Sequence, residues 1–116
     1  MKVGDVVLVQ FPFTDKENSK KRPALIVSVT SHSPRVKLVM LAMITSKVEG
    51  LRLAGDVLLA DWKSSNLLHP SLVRLSKFAT VDFNRIDKKL GDLGKKDFKA
   101  VSQALKRLFS DCLGSY

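Results

Sequence analysis

Arg22 closes the basic run Lys20-Lys21-Arg22 and is followed at once by Pro23 and an apolar stretch, which sets its guanidinium where a loop runs into a strand. Thr45, followed by Ser46, stands directly after the apolar stretch 36–44. A guanidinium offers a planar fork of donors that matches phosphate oxygens, and a threonine hydroxyl can hold a further oxygen in place. Such a pair suits charge stabilisation at a phosphate rather than nucleophilic attack by a side chain. Each residue also has a plainer reading. A Lys-Lys-Arg run taken alone is usually a solvated patch, and a β-branched residue often finishes a strand, so Thr45 by itself is balanced evenly between the two.

Proton carriers are few. Asp15 and Glu17 lie in a polar loop and His69 stands before Pro70; of these only the imidazole has an ordinary pKa near neutrality. A single loop histidine is more often simply solvated. His32 and His69 are far apart and no neighbouring carboxylates complete a zinc-like set, while the one cysteine, Cys112, leaves no internal disulfide and no Cys-rich metal site. The six glycines are scattered and form no phosphate-cradling loop, which disfavours nucleotide hydrolysis. The expectation is a chain without metal or cofactor.

Twenty Lys and Arg against eleven Asp and Glu give a formal net charge of +9 and a pI near 9.9, and the excess is spread along the chain. A polyanionic partner follows from that balance. Aromatics are only 7%, too few for broad base-stacking platforms, so recognition would rely on charge and polar contacts. Asp5 precedes any apolar run and no uncharged stretch is long enough to span a bilayer, so no secretion signal or membrane anchor is read and a cytoplasmic setting is expected.

The elements that would position these residues are short. Residues 6–11 read as a first strand, the polar stretch 14–21 as an exposed loop, and 24–29 with 36–44 as a hairpin. Residues 56–60 read as another strand, Asp61 as the cap of a helical turn over 61–65 with Trp62 packing there, and 72–75 and 78–81 as two further strands. Over residues 95–109 Phe98, Val101, Leu105, Leu108 and Phe109 recur at helical spacing opposite a lysine-rich side, which predicts one amphipathic helix. The fold class is α+β: a small curled antiparallel sheet or barrel sealed by a C-terminal helix, in one domain covering residues 1–116.

Four segments, in order, resemble the MazF/PemK family of toxins from bacterial toxin–antitoxin pairs. They are Gly4-Asp5-Val6-Val7-Leu8-Val9 with Phe11-Pro12-Phe13-Thr14, Lys21-Arg22-Pro23-Ala24-Leu25-Ile26-Val27, Ile44-Thr45-Ser46, and Val73-Arg74-Leu75-Ser76-Lys77 leading to Ala79-Thr80. The resemblance extends to Lys89-Leu90-Gly91 and the final helix. It implies an SH3-like or CcdB-like β-barrel, usually a homodimer, that cuts single-stranded RNA at short sequences and is neutralised by an antitoxin. By position it makes Arg22 and Thr45 the catalytic pair, and it carries Ser46 and Arg74 into the substrate groove. Lys20, Lys21 and Lys77, beside these residues, would extend the basic surface.

RNA brings its own nucleophile, the 2′-hydroxyl, so cutting it requires only deprotonation of that group, stabilisation of charge on phosphorus and protonation of the leaving 5′-oxygen. A guanidinium holds its proton far above neutral pH and is a poor base, so Arg22 is read as an electrostatic stabiliser. Some members of the family carry an acidic residue two positions after the groove arginine; here that position is Ser76. The general base is therefore left to His69, Glu17 or Asp15. Two non-enzymatic readings stay beside this one: a gyrase-poisoning toxin that shares the barrel, and an SH3-like RNA-binding module for which charge alone suffices.

Overall fold

The computed structural model describes residues 1–10 and 20–114. The apolar, β-branched run after Gly4 forms β1 (Asp5–Val9), and the two long runs that follow form β2 (Arg22–Ser33) and β3 (Val36–Thr45). Their connection is a tight turn in which Ser33 Oγ accepts from the N–H groups of Arg35 and Val36, both at 3.1 Å. Then come β4 (Asp56–Leu58), β5 (Leu72–Asp82), a 3-10 turn (Phe83–Arg85), β6 (Ile86–Asp92), α1 (Lys95–Leu108) and the short α2 (Ser110–Leu113). All strand pairings are antiparallel, in the order β4-β5-β3-β2-β1-β6.

The sheet buries both faces. On one, Val7, Val9, Ala24, Ile26, Val39, Leu41 and Ala79 pack with Val81, Phe83 and Ile86. β5 and β6 are far apart in the strand order, so a cluster that joins Val81 to Ile86 requires the sheet to curl toward a barrel, with the 3-10 turn as the corner. On the other face Val6, Leu25, Ala42, Ile44, Val73 and Leu75 pack with Val101 and Ala104 of α1. Strands covered on both sides read as near-continuous apolar runs, which is why β2 and β3 show little alternation.

Several expected elements change form. The strands expected at 72–75 and 78–81 are one strand: Ala42 pairs with Phe78 and Met43 with Arg74, so the intervening residues of β5 bulge out while the ladder continues on either side. Leu75 N–H in that bulge donates to Gly55 carbonyl at 3.0 Å. The helical turn at 61–65 is a series of tight turns, and the Asp61 carbonyl rather than its side chain accepts from Ser64 N–H at 3.1 Å. β4 stops at Leu58, short of residue 60. The final helix breaks at Phe109 before α2.

β6 was not among the expected strands. Its sequence, Ile-Asp-Lys-Lys-Leu-Gly-Asp, has neither an apolar run nor strict alternation, as suits an edge strand whose exposed lysines discourage pairing with another chain. It pairs with β1 through register shifts on either side of Val7 and Leu8.

Candidate active site at the open end of β2 and β3

Ala24 pairs with Met43 in the β2/β3 ladder, and continuing that register by two residues sets Arg22 across from Thr45 at the end of the sheet. Both residues line a surface cavity of about 440 Å³. Its apolar base is made by Leu8, Pro23, Ile44, Leu67 and Leu90, and its polar rim carries Lys21, Ser46, Lys47, His69 and Lys88. Of the expected site residues, Arg22, Thr45, Lys21, Ser46 and His69 are thus brought to one place.

Thr45 Oγ1 accepts from Lys47 N–H at 3.1 Å. That bond occupies a lone pair and fixes the side chain, leaving the hydroxyl proton to donate outward. Arg22 is half-buried, and its Nε is shut away from solvent. Lys21 is exposed and pairs with Asp87 at 2.9 Å, which holds the start of β2 against β6 at the surface.

The far wall comes from the segment between β4 and β5, and its placement depends on bonds to distant parts of the chain. The buried Asp97 of α1 accepts from the N–H groups of Ala60 (2.8 Å) and Asp61 (2.9 Å), fixing the start of the segment. Ser65 Oγ donates to Asp92 carbonyl at 2.9 Å and Asn66 Nδ2 to Leu90 carbonyl at 2.6 Å, strapping it to β6. Asn66 takes a left-handed conformation (φ 62°), which Asn tolerates better than most residues. Gly91 permits the approach: a Cβ there would stand 2.6 Å from Ser65 carbonyl oxygen. At the exit Leu59 N–H donates to Ser71 carbonyl at 3.0 Å and Ser71 Oγ to His69 carbonyl at 2.8 Å.

Arg74 is placed elsewhere. Its Nε and Nη2 donate to the two oxygens of Asp56 on the neighbouring β4, each at 3.0 Å, and it does not line the cavity. The Asp56 side chain is 1% exposed and that of Arg74 19%. Burial alone would raise the Asp56 pKa, but the Arg74 guanidinium and the Leu53 N–H outweigh it and hold the carboxyl below the usual carboxylate range. The same bond raises the Arg74 pKa. Arg74 is thus held in a strand-to-strand ion pair outside this cavity. Lys77 is exposed in the β5 bulge and Lys20 is exposed before β2, neither at the cavity. Asp15 and Glu17, with Phe13, lie outside the described residues.

A family model for the PemK-like, MazF-like toxins of type II toxin–antitoxin systems matches residues 2–109. The chain belongs to this family. The curled sheet with its C-terminal helix is the MazF fold, as solved structures show. Mycobacterium tuberculosis toxin MazF-mt6 superposes with a TM-score of 0.70 at 24% identity, covering 91% of this chain and 96% of that one. An endoribonuclease in complex with its cognate antitoxin, from a mycobacterial species, gives 0.71 at 17% identity and 95% coverage of both chains. MazF from Deinococcus radiodurans gives 0.67 at 20% identity, covering 95% of this chain and 96% of the other. No curated protein sequence matches significantly.

Within this MazF-like chain, Lys47, Asn66 and Lys88 join the cavity without having been singled out in the sequence. Lys47 directly follows the Ile44-Thr45-Ser46 motif and could have been found from it. Lys88 directly precedes the Lys89-Leu90-Gly91 segment, although its strand has no apolar run or alternation to mark it. Among the described residues no group of three or more His, Cys, Asp or Glu is arranged to hold a metal ion, and no helix is long and apolar enough to cross a membrane.

Proposed function

We propose that this MazF-like toxin is an endoribonuclease that cuts single-stranded RNA, mRNA in particular, by attack of the substrate's own 2′-hydroxyl, without a metal, and so arrests translation in the cytoplasm. The observation that carries the reading is the meeting of Arg22 and Thr45 at one cavity whose charged lining is cationic among the described residues. A phosphodiester seated there meets the planar donors of Arg22 and the outward hydroxyl of Thr45, both preorganised by the β2/β3 register. Their role is to stabilise the extra negative charge on phosphorus as the 2′-oxygen adds. Lys21, Lys47, Ser46 and Lys88 then bind the flanking backbone.

The net charge of +9 suits two competing polyanions, RNA and an acidic antitoxin segment, at the same surface. A homodimer is the expected assembly, on the family's pattern. The deciding experiment incubates the purified protein with single-stranded RNA in excess chelator and maps the ends. A 2′,3′-cyclic phosphate and a 5′-hydroxyl are expected. Bound but intact RNA would replace the enzyme reading by a binding module, and an intact substrate with a stabilised gyrase cleavage complex by a gyrase poison. RNA affinity should also fall with salt, with a slope of roughly −0.7 per neutralised phosphate.

A further inference from the structure

A cavity that activates a 2′-hydroxyl must hold a group able to take its proton, and the described lining supplies one candidate. Lys21, Arg22, Lys47 and Lys88 are the cationic groups there, and no carboxylate is among them. Ammonium and guanidinium groups are donors with no lone pair to offer and accept no proton. The hydroxyls of Thr45, Ser46 and Ser71 are too weakly basic. Ser76, where some relatives carry an acid, is exposed on β5 and does not line the cavity. Among the described lining residues the group left that can take a proton is the imidazole of His69; Asp15 and Glu17 lie outside the described residues.

We propose that His69, on the anchored segment facing Arg22 and Thr45 across the cavity, is the general base of the cleavage reaction; this rests on the endoribonuclease reading above. Its segment is suited to the task. The bonds from Asp97, Ser65 and Asn66 fix it against α1 and β6, the Ser71 hydroxyl holds the His69 carbonyl, and Pro70 restricts the backbone immediately after it. The backbone is thereby positioned while the side chain is exposed at the cavity. In the step assigned to it, a neutral imidazole nitrogen takes the 2′-hydroxyl proton as the 2′-oxygen bonds to phosphorus. The bond from phosphorus to the 5′-oxygen breaks, and the leaving oxygen takes a proton from water. The imidazolium then releases its proton to solvent, so the products are a cyclic phosphate and a 5′-hydroxyl with no net change in protons.

The test is single-turnover cleavage, across pH, of an RNA oligonucleotide that spans a site mapped with the wild-type protein. For the wild type the rate should climb with pH as a single base gives up its proton, and then level. His69→Gln and His69→Asn should lower the plateau about a hundred- to ten-thousandfold and abolish that titration, while their RNA affinity stays near wild type. Two variants guard against a folding artefact, and a merely structural role would not remove the titration. With sulfur in place of the leaving 5′-oxygen, the variants should stay slow, because a thiolate leaves without an acid but the base is still missing. Recovery on the sulfur substrate would make His69 the acid and overturn the assignment, as would an unchanged pH profile in variants that still cut. In the last case the endoribonuclease reading stands; no cleavage by the wild type at any pH overturns both.

Discussion

At the open end of the sheet Arg22 begins β2, with Thr45 across from it and a cavity in front; on the far side of β3, Arg74 of β5 is closed against Asp56 of β4. The residue type is the same and both lie in segments that resemble the family's motifs. What separates them is the neighbour that the sheet supplies. A carboxylate that is 1% exposed on the adjacent strand makes Arg74 a tie between strands, whereas a fixed hydroxyl and a cationic rim leave Arg22 beside space that a phosphate could fill. A buried carboxylate on the next strand commits a guanidinium to the fold, whereas a cavity in front of one gives room for a substrate anion.

The strongest way to break this contrast is to remove Arg74. Arg74→Ala leaves the buried Asp56 carboxylate its bond from the Leu53 N–H but not its guanidinium partner, and should cost about 3–5 kcal/mol of stability, read by denaturant unfolding. The protein that remains folded should retain cleavage. Next in size, Arg22→Ala should lower the cleavage rate by about 3–4 kcal/mol, roughly a hundred- to thousandfold, with a smaller effect on unfolding. If Arg22→Ala cuts at the wild-type rate, its assignment to the phosphate is wrong.

Thr45→Val removes the hydroxyl but keeps the β-branched shape, and single-turnover assays should show a loss of about 1.5–3 kcal/mol, the range for a hydrogen bond to a charged group. Acid separates the two regions by linkage. Asp5 is 1% exposed; burial would raise its pKa, but the Lys2 N–H and the ammonium groups of Lys89 and Lys2 outweigh it and lower it. Asp5 and Asp56 therefore bind protons less readily folded than unfolded, so the stability they contribute is fully present above the unfolded carboxylate range. It should be lost as pH falls below about 4 and through their folded values. Thermal unfolding from pH 7 to 2 would show the loss, reduced in Asp56→Asn. Smallest of all, Lys21→Ala breaks the exposed pair with Asp87 and should change stability by about 0–1 kcal/mol.

Much of this was written locally in the chain. β1, β2 and β3 followed from apolar, β-branched runs bounded by Gly, Pro and polar turns, and α1 from helical spacing, because these signals depend on near neighbours and on which faces must leave water. Arg22 and Thr45 stood out through the motifs around them. β6 did not, since an edge strand rich in lysine is stabilised by its partner β1 and not by its own pattern. The bulge that makes β5 one strand exists only in its ladder with β3.

The amino-acid sequence by itself determined the α+β class, the basic balance and the motifs that mark the family, because composition and periodicity are properties of the chain alone. Only the tertiary structure decided which charges meet. Asp56 paired with Arg74 away from the cavity, and Asp97, Asn66 and Ser65 carried His69 to the cavity of Arg22 and Thr45. The physical reason is range: a hydrogen bond or ion pair acts over a few ångströms, and the partners that fix these side chains are distant in sequence, so folding chooses them.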